Sequence, residues 1–271
     1  MSGVVMRALH ELRLACVALQ FLTRVPVPRW VGFEPVWLQA CLRHFPLVGA
    51  GVGAYAAVVL WAALALWPPT VAAALSVVAT VWLSGAFHED GLADTCDGLG
   101  GAVSRTRALE IMKDSRIGSY GAVGLVLALV LKVATVAALA GHAASVAGAV
   151  AALVWGHAAS RAAPVLLVWR LPYAGDPEHA KAKPLATQIG GAGVAVALAW
   201  LGVLAVGLLW LWPALWAPLT VSAVAALLAT LWCARWLRRR LGGFTGDTLG
   251  ATQQITELAG LLAWLACQGA A

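Results

Sequence analysis

Three stretches of this sequence, 44–88, 133–160 and 184–234, contain no Asp, Glu, Lys or Arg. A bilayer's hydrocarbon core is about 30 Å thick, takes about 20 helical residues to cross, and offers no water to an unpaired backbone group. The first and last stretches are each long enough for two crossings, so the chain is expected to fold as an all-α, polytopic integral membrane helix bundle. Composition agrees: 11% of residues are charged and 62% hydrophobic, whereas soluble domains carry roughly 25% charged residues. Disordered and fibrous classes are excluded with them.

Spans are expected near 46–67, 70–87, 118–140, 143–168, 190–212, 214–233 and 253–268. The Pro68–Pro69 pair and Pro213 separate neighbours, since proline breaks the helical hydrogen-bond ladder. That makes about seven crossings, or six if the last segment is re-entrant, in a single membrane-embedded domain over 1–271. The polar segments 1–43, 88–117, 169–189 and 234–252 then share one side, while the turns near 68–69, 141–142 and 213 carry no Lys or Arg. The basic excess marks a cytoplasmic face.

Ahead of the first span, Val5, Leu9, Leu12, Cys16 and Leu19 follow helical spacing, with Arg7, His10, Glu11 and Arg13 on other faces. No small-residue cleavage site follows, so an interfacial amphipathic helix is expected rather than a signal peptide. The five cysteines have no CxxC spacing and read as small packing residues. A formal net charge of +6 suits anionic lipid or a phosphorylated substrate. No basic stripe interleaved with exposed aromatics calls for nucleic acid.

The chemistry concentrates in His88-Glu89-Asp90-Gly91-Leu92-Ala93-Asp94-Thr95-Cys96-Asp97-Gly98. At about 100° per residue, Asp90, Asp94 and Asp97 fall within roughly 60° on one helical face, with Glu89 to the side. Three carboxylates beside a low-dielectric layer repel one another unless protons or a cation compensate. Hard oxygen ligands without multiple Cys or His favour Mg²⁺, or Mn²⁺ in its place. Two alternatives stay open at this stage: a hydrated acidic helix end, and a proton or cation pathway, since intramembrane acids often mark transport.

Downstream, Lys113 and Arg116 are placed to meet phosphate oxygens, Arg116 bidentately. Asp114 either joins a metal site or pairs with these cations. Lys181-Ala182-Lys183-Pro184-Leu185 is a second cationic element, a phosphate binder or a membrane-surface anchor. Arg161, with His157 one turn away, either faces a polar cavity or snorkels to the interface; Lys132 reads as less functional. In Gly242–Glu257, Asp247 follows a glycine turn as ligand or helix cap. Gln253 aligns with Glu257 at i, i+4, and Glu257 enters an apolar helix where it needs a partner.

Taken in order, Phe21-Leu22-Thr23-Arg24-Val25-Pro26-Val27-Pro28, Phe45-Pro46-Leu47-Val48-Gly49, the acidic segment, Met112–Gly121, Lys183-Pro184-Leu185 and Gly243–Glu257 resemble the cobalamin synthase (adenosylcobinamide-GDP ribazoletransferase) family over most of the chain. The acidic motif is also similar to that of CDP-alcohol phosphotransferases. The resemblance implies Mg²⁺-dependent transfer of the adenosylcobinamide phosphoryl group from adenosylcobinamide-GDP to α-ribazole or its 5′-phosphate, with release of GMP. It implies a bacterial cytoplasmic membrane, a site facing the cytoplasm, and contact with the bilayer and with other cobalamin-assembly enzymes. On it, Asp90, Asp94, Asp97 and Asp247 are the expected catalytic and metal-binding residues, joined by Glu89 as a ligand. Lys113, Arg116, Lys183, Arg161, Arg24, Gln253 and Glu257 are the expected substrate and phosphate contacts. Lys183 stands where the family favours Arg, and supplies a point charge rather than a bidentate fork. A transporter would instead spread acids across the midplane in repeated inverted halves, which this sequence does not show. A noncatalytic scaffold leaves the ordered acidic and cationic elements unexplained.

Overall fold

The computed structural model describes residues 3–141, 146–175 and 187–269, and among them all regular structure is helical. The helices are α1 (Gly3–Leu22), α2 (Trp37–Ala40), α3 (Phe45–Leu64), α4 (Pro69–Ser84), α5 (Phe87–Gly100), α6 (Arg105–Met112), α7 (Ser119–Gly141), α8 (Val146–Arg170), α9 (Gly191–Leu211), α10 (Trp216–Arg240) and α11 (Gly246–Gly269). Five segments are long and apolar enough to cross a membrane: Trp37–Leu64, Ser119–Gly141, Ala147–Arg170, Gly191–Leu211 and Pro213–Arg240. A sixth arises if the pair α4–α5, bent by 89°, counts as one span.

Five of the expected seven crossings thus have counterparts, six if the bent pair is one span, and the differences have physical causes. Segment 70–87 does not run straight into the acidic helix. Gly85 and Ala86 both adopt left-handed backbone, at φ of 70° and 60°, and Ala86 N–H closes α4 on the Val81 carbonyl, so the chain turns before α5 begins. The last expected span, 253–268, lies in α11, a 24-residue helix that is too polar to pass for a lipid-facing crossing. It packs against α5, α7, α8 and α10, and Thr248, Thr252, Gln253, Gln254, Thr256 and Glu257 on it are all buried. A helix enclosed by protein needs no apolar surface of its own.

Small residues set how closely the helices approach. A Cβ on Gly53 would lie 2.6 Å from the Val154 Cα, and one on Gly49 2.9 Å from the Ala158 Cα, so α3 and α8 run antiparallel with their backbones in contact. Antiparallel pairing recurs between α8 and α11 through Ser160–Gln253 and His157–Glu257. Between α10 and α11 it is carried by Thr230–Thr256 and by Gly260 against Ser222. Of the α8 window 83% is buried, against 17% for α9, which puts α8 beside α11 at the centre and α9 at the periphery.

α1 buries Leu14, Val17, Ala18 and Leu22 against the bundle. The stripe expected to meet lipid divides: Val5 and Leu12 are exposed, while Leu9, Cys16 and Leu19 are half-buried. The five cysteines are free.

The described parts of the polar segments meet at one end. Arg24 N–H donates to the Leu83 carbonyl at 2.8 Å, beside the α4–α5 bend. Arg240 donates to the carbonyls of Leu99 and Gly101, and Arg105 to that of Ala174. Phe244 N–H reaches Pro172 at 3.0 Å and Ala174 N–H reaches Phe244 at 2.8 Å.

Candidate active site at the crossing of α5 and α11

At this polar end Asp90, Asp94 and Asp97 ride on one uninterrupted helix, as their spacing requires. Asp90 is exposed and the other two are half-buried. The approach to α11 is a turn in which Gly242 takes a φ of 75°, a left-handed value that favours glycine. Thr245 then caps the helix reciprocally with Thr248: Thr245 N–H donates to Thr248 Oγ1 at 2.8 Å, and Thr248 N–H donates to Thr245 Oγ1 at 3.3 Å. The cap is therefore Thr245, and Asp247 stands in the first turn, where the helix dipole favours a negative charge.

The two helices touch at Gly91. A Cβ there would come within 2.6 Å of the Asp247 carbonyl oxygen, and one on Gly250 within 3.3 Å of the His88 Cα. Glycine at these positions lets the backbones meet, and so brings Asp247 alongside the helix that carries Asp90 and Asp94. Among the described residues, no three His, Cys, Asp or Glu side chains stand close enough to form a ready-made cation site. What the fold supplies is hard oxygen donors on two helices in backbone contact.

Asp97 has a second task. Its carboxylate accepts the N–H groups of Gly118 at 2.7 Å and Gly121 at 2.8 Å. It thereby fastens the start of α7, and with it the loop bearing Lys113 and Arg116, to α5. Arg116 is bound to Asp114 through Nε at 3.0 Å and Nη2 at 2.7 Å, so local pairing of Asp114 is what occurs. The same hydrogen bond raises the Arg116 pKa above its ordinary value. Lys113 and Arg116 are both exposed. The exposed Arg24 lays its guanidinium over Gly85 at the α4–α5 bend. Lys181 and Lys183 lie outside the described residues.

Glu89, expected as a ligand, and Arg161, Gln253 and Glu257, expected as substrate contacts, lie in a buried network. Lys132 Nζ lies 2.8 Å from Glu257 Oε1, within ion-pair range although Glu257 Oε1 has no aligned hydrogen bond, and it donates to Gln254 Oε1 at 3.1 Å. Gln254 Nε2 donates onward to Glu89 Oε1 at 2.9 Å. Gln253 donates to Glu257 Oε2 at 2.6 Å and to Ser160 at 3.0 Å, as the i, i+4 spacing anticipates for the first pair. Arg161 is only 3% exposed, so it does not snorkel. It donates through Nη1 to the His157 carbonyl and reaches His157 Nδ1 at 3.1 Å. A ring nitrogen accepting from Arg161 cannot also donate to Glu257, whose Oε2 lies 3.3 Å away.

The pairing of Lys132 with Glu257 is the main contact that sequence reasoning missed. Lys132 interrupts an apolar run, and Glu257 sits alone in another. Two opposite charges stranded in membrane helices require partners, and that need was the signal for pairing them. Gln254 and Ser160 gave no comparable signal, being polar residues in polar or small-residue surroundings.

Comparison with known proteins places this architecture. Residues 14–265 match the family model described as CobS, cobalamin-5-phosphate synthase. A protein of Leptothrix cholodnii named adenosylcobinamide-GDP ribazoletransferase is 58% identical over 95% of this chain and 97% of its own length. Similarly named proteins of Polaromonas naphthalenivorans and Shewanella amazonensis are 48% and 44% identical, over 93% and 92% of this chain and 96% and 93% of their own lengths. No solved structure matches the chain. An ordered acidic helix, a glycine-led second helix crossing it, and a match spanning nearly all the residues lead to one conclusion: the chain belongs to the cobalamin-5-phosphate synthase family.

Proposed function

We propose that the chain joins adenosylcobinamide-GDP to α-ribazole, or to α-ribazole 5′-phosphate, and releases GMP. The observation that carries this is the backbone contact of α5 and α11 at Gly91, which brings Asp247 alongside the helix of Asp90 and Asp94 at the bundle end where the polar segments gather. The relatives named above carry that activity in their names.

In the proposed reaction a ribose hydroxyl that is free in both α-ribazole and its 5′-phosphate attacks the phosphorus bonded to cobinamide. A new oxygen–phosphorus bond forms, the bond to the GMP oxygen breaks, and the hydroxyl proton passes to a carboxylate of the Asp90, Asp94 and Asp247 set. Negative charge grows on the equatorial oxygens and on departing GMP. Lys113 and Arg116, exposed on the loop that Asp97 fastens, are placed to hold phosphate oxygens. Asp90, Asp94 and Asp247 are the residues proposed to hold Mg²⁺, for which Mn²⁺ can substitute; bound there, the ion neutralises developing phosphate charge. Glu89, buried beside Asp90, accepts from Gln254 through Oε1 and keeps Oε2 without a hydrogen-bond partner, so it stays a proposed further ligand. The basic excess of the polar end supports the reading of a site that faces the cytoplasm.

Purified protein supplied with adenosylcobinamide-GDP, α-ribazole and Mg²⁺ is expected to release GMP and form the joined corrinoid in equal amounts. Failure to form either product overturns the proposal.

A further inference from the structure

Asp247, Gly250, Gln254 and Glu257 occupy positions i, i+3, i+7 and i+10 of α11, which share a face about 80° wide. Along that face Asp247 abuts Gly91, Gly250 abuts His88, and Gln254 bonds Glu89. Glu89 immediately precedes Asp90. The lower part of the same face is braced from α7: Lys132 lies 2.8 Å from Glu257 Oε1 and donates to Gln254 Oε1 at 3.1 Å. Lys132 is 4% exposed and Glu257 1%. Neither reaches the polar end where the substrates would bind.

We propose that Lys132 is a positioning residue for the reaction, fixing the register of α11 against α5 through Glu257 and Gln254 and thereby the separation of Asp247 from Asp90 and Asp94. A sliding or rotating α11 would carry Asp247 past the acids it must work with. The Gly91 and Gly250 contacts resist closer approach but, lacking side chains, do little to resist sliding. The ammonium, bridging two α11 side chains one turn apart, does resist it. In a low-dielectric interior such an ion pair is costly to form and costly to break singly, so a brace at this place serves register more than stability. The proposal rests on the transfer reaction above only for its kinetic consequence.

The test uses the full-length protein in detergent or nanodiscs. Lys132→Met alone strands the Glu257 carboxylate and can fail to fold, so the informative variant is Lys132→Met/Glu257→Gln, which removes both charges together. Its kcat is expected to fall by about 100-fold, the loss typical of a reacting group misplaced by an ångström. KM for adenosylcobinamide-GDP should stay within about threefold, because no substrate contact is lost. Lys132→Arg is expected to recover most of the turnover. Wild-type turnover in the double variant, or a raised KM at unchanged kcat, overturns the proposal.

A readout independent of activity separates this from failure of the proposed function. In a background lacking the native cysteines, thiols at Asp90→Cys and Asp247→Cys are joined with a short bifunctional reagent. The rate is expected to fall severalfold when Lys132→Met/Glu257→Gln is added. An equal rate in both backgrounds overturns the positioning role, even where the wild-type enzyme shows no transfer.

Discussion

Asp94 and Asp97 are neighbours on one helix but face different demands. Both Asp97 oxygens accept backbone N–H groups of the α7 entrance, whereas Asp94 lies nearer the contact between Gly91 and Asp247. Asp94→Asn is therefore expected to lower turnover by at least about 100-fold, the scale of a lost electrostatic group in a reaction centre, while the protein elutes and unfolds like the wild type. Near-normal GMP release would remove Asp94 from the site. Asp97→Asn replaces one acceptor oxygen by an NH₂ donor facing a backbone N–H. It should loosen the loop of Lys113 and Arg116 and raise KM for adenosylcobinamide-GDP more than it lowers kcat; unchanged steady-state kinetics would show that the loop is held without it. Gly91→Ala tests the crossing itself. Its Cβ would meet the Asp247 carbonyl oxygen at 2.6 Å, and backbone cannot yield there as a side-chain tip can, so activity and thermal stability should fall together.

Among the elements, the α3–α8 contact depends most on small residues. Gly53→Leu would drive a side chain into the backbone of Leu153 and Val154 and should destabilise the protein by about 1–3 kcal/mol, the usual range for overpacking. Thermal unfolding in detergent measures it, and an unchanged midpoint would mean the helices separate at little cost. Most helices were legible from apolar runs ended by proline or charge. The 89° bend between α4 and α5 was not, because Gly85 announces a helix end but Ala86 does not announce left-handed backbone, a conformation uncommon for a residue with a Cβ. α11 misled in the other direction. Its polar residues read as a marginal membrane segment, and only its enclosure by four other helices explains why they are tolerated.

At the scale of the whole molecule, the chain arranges its chemistry by end. Arg105, Arg240 and Phe244 tie different polar segments to one another at one end, Arg24 ties the first of them to the end of α4, and Trp67 and Trp210 stand exposed at turns where α3 and α9 finish. Single cysteines at Arg107 and Trp67, in a cysteine-free background, should be labelled by membrane-impermeant thiol reagent from opposite faces, with residue 107 on the cytoplasmic side. Labelling of both from one face would overturn the assigned sidedness. Removal of divalent cations by chelation should abolish transfer and Mg²⁺ should restore it; full activity in excess chelator would reject the metal requirement. From its sequence alone this protein had to be a helical membrane bundle with acids and cations collected at one end, because charge-free runs of that length have few other folds and because charges are expelled from lipid to the loops. Which acids face the reaction and which lock helices together was decided only in three dimensions. A carboxylate's role depends on the donors that reach it, and those donors come from α7, α8 and α11, far away along the chain.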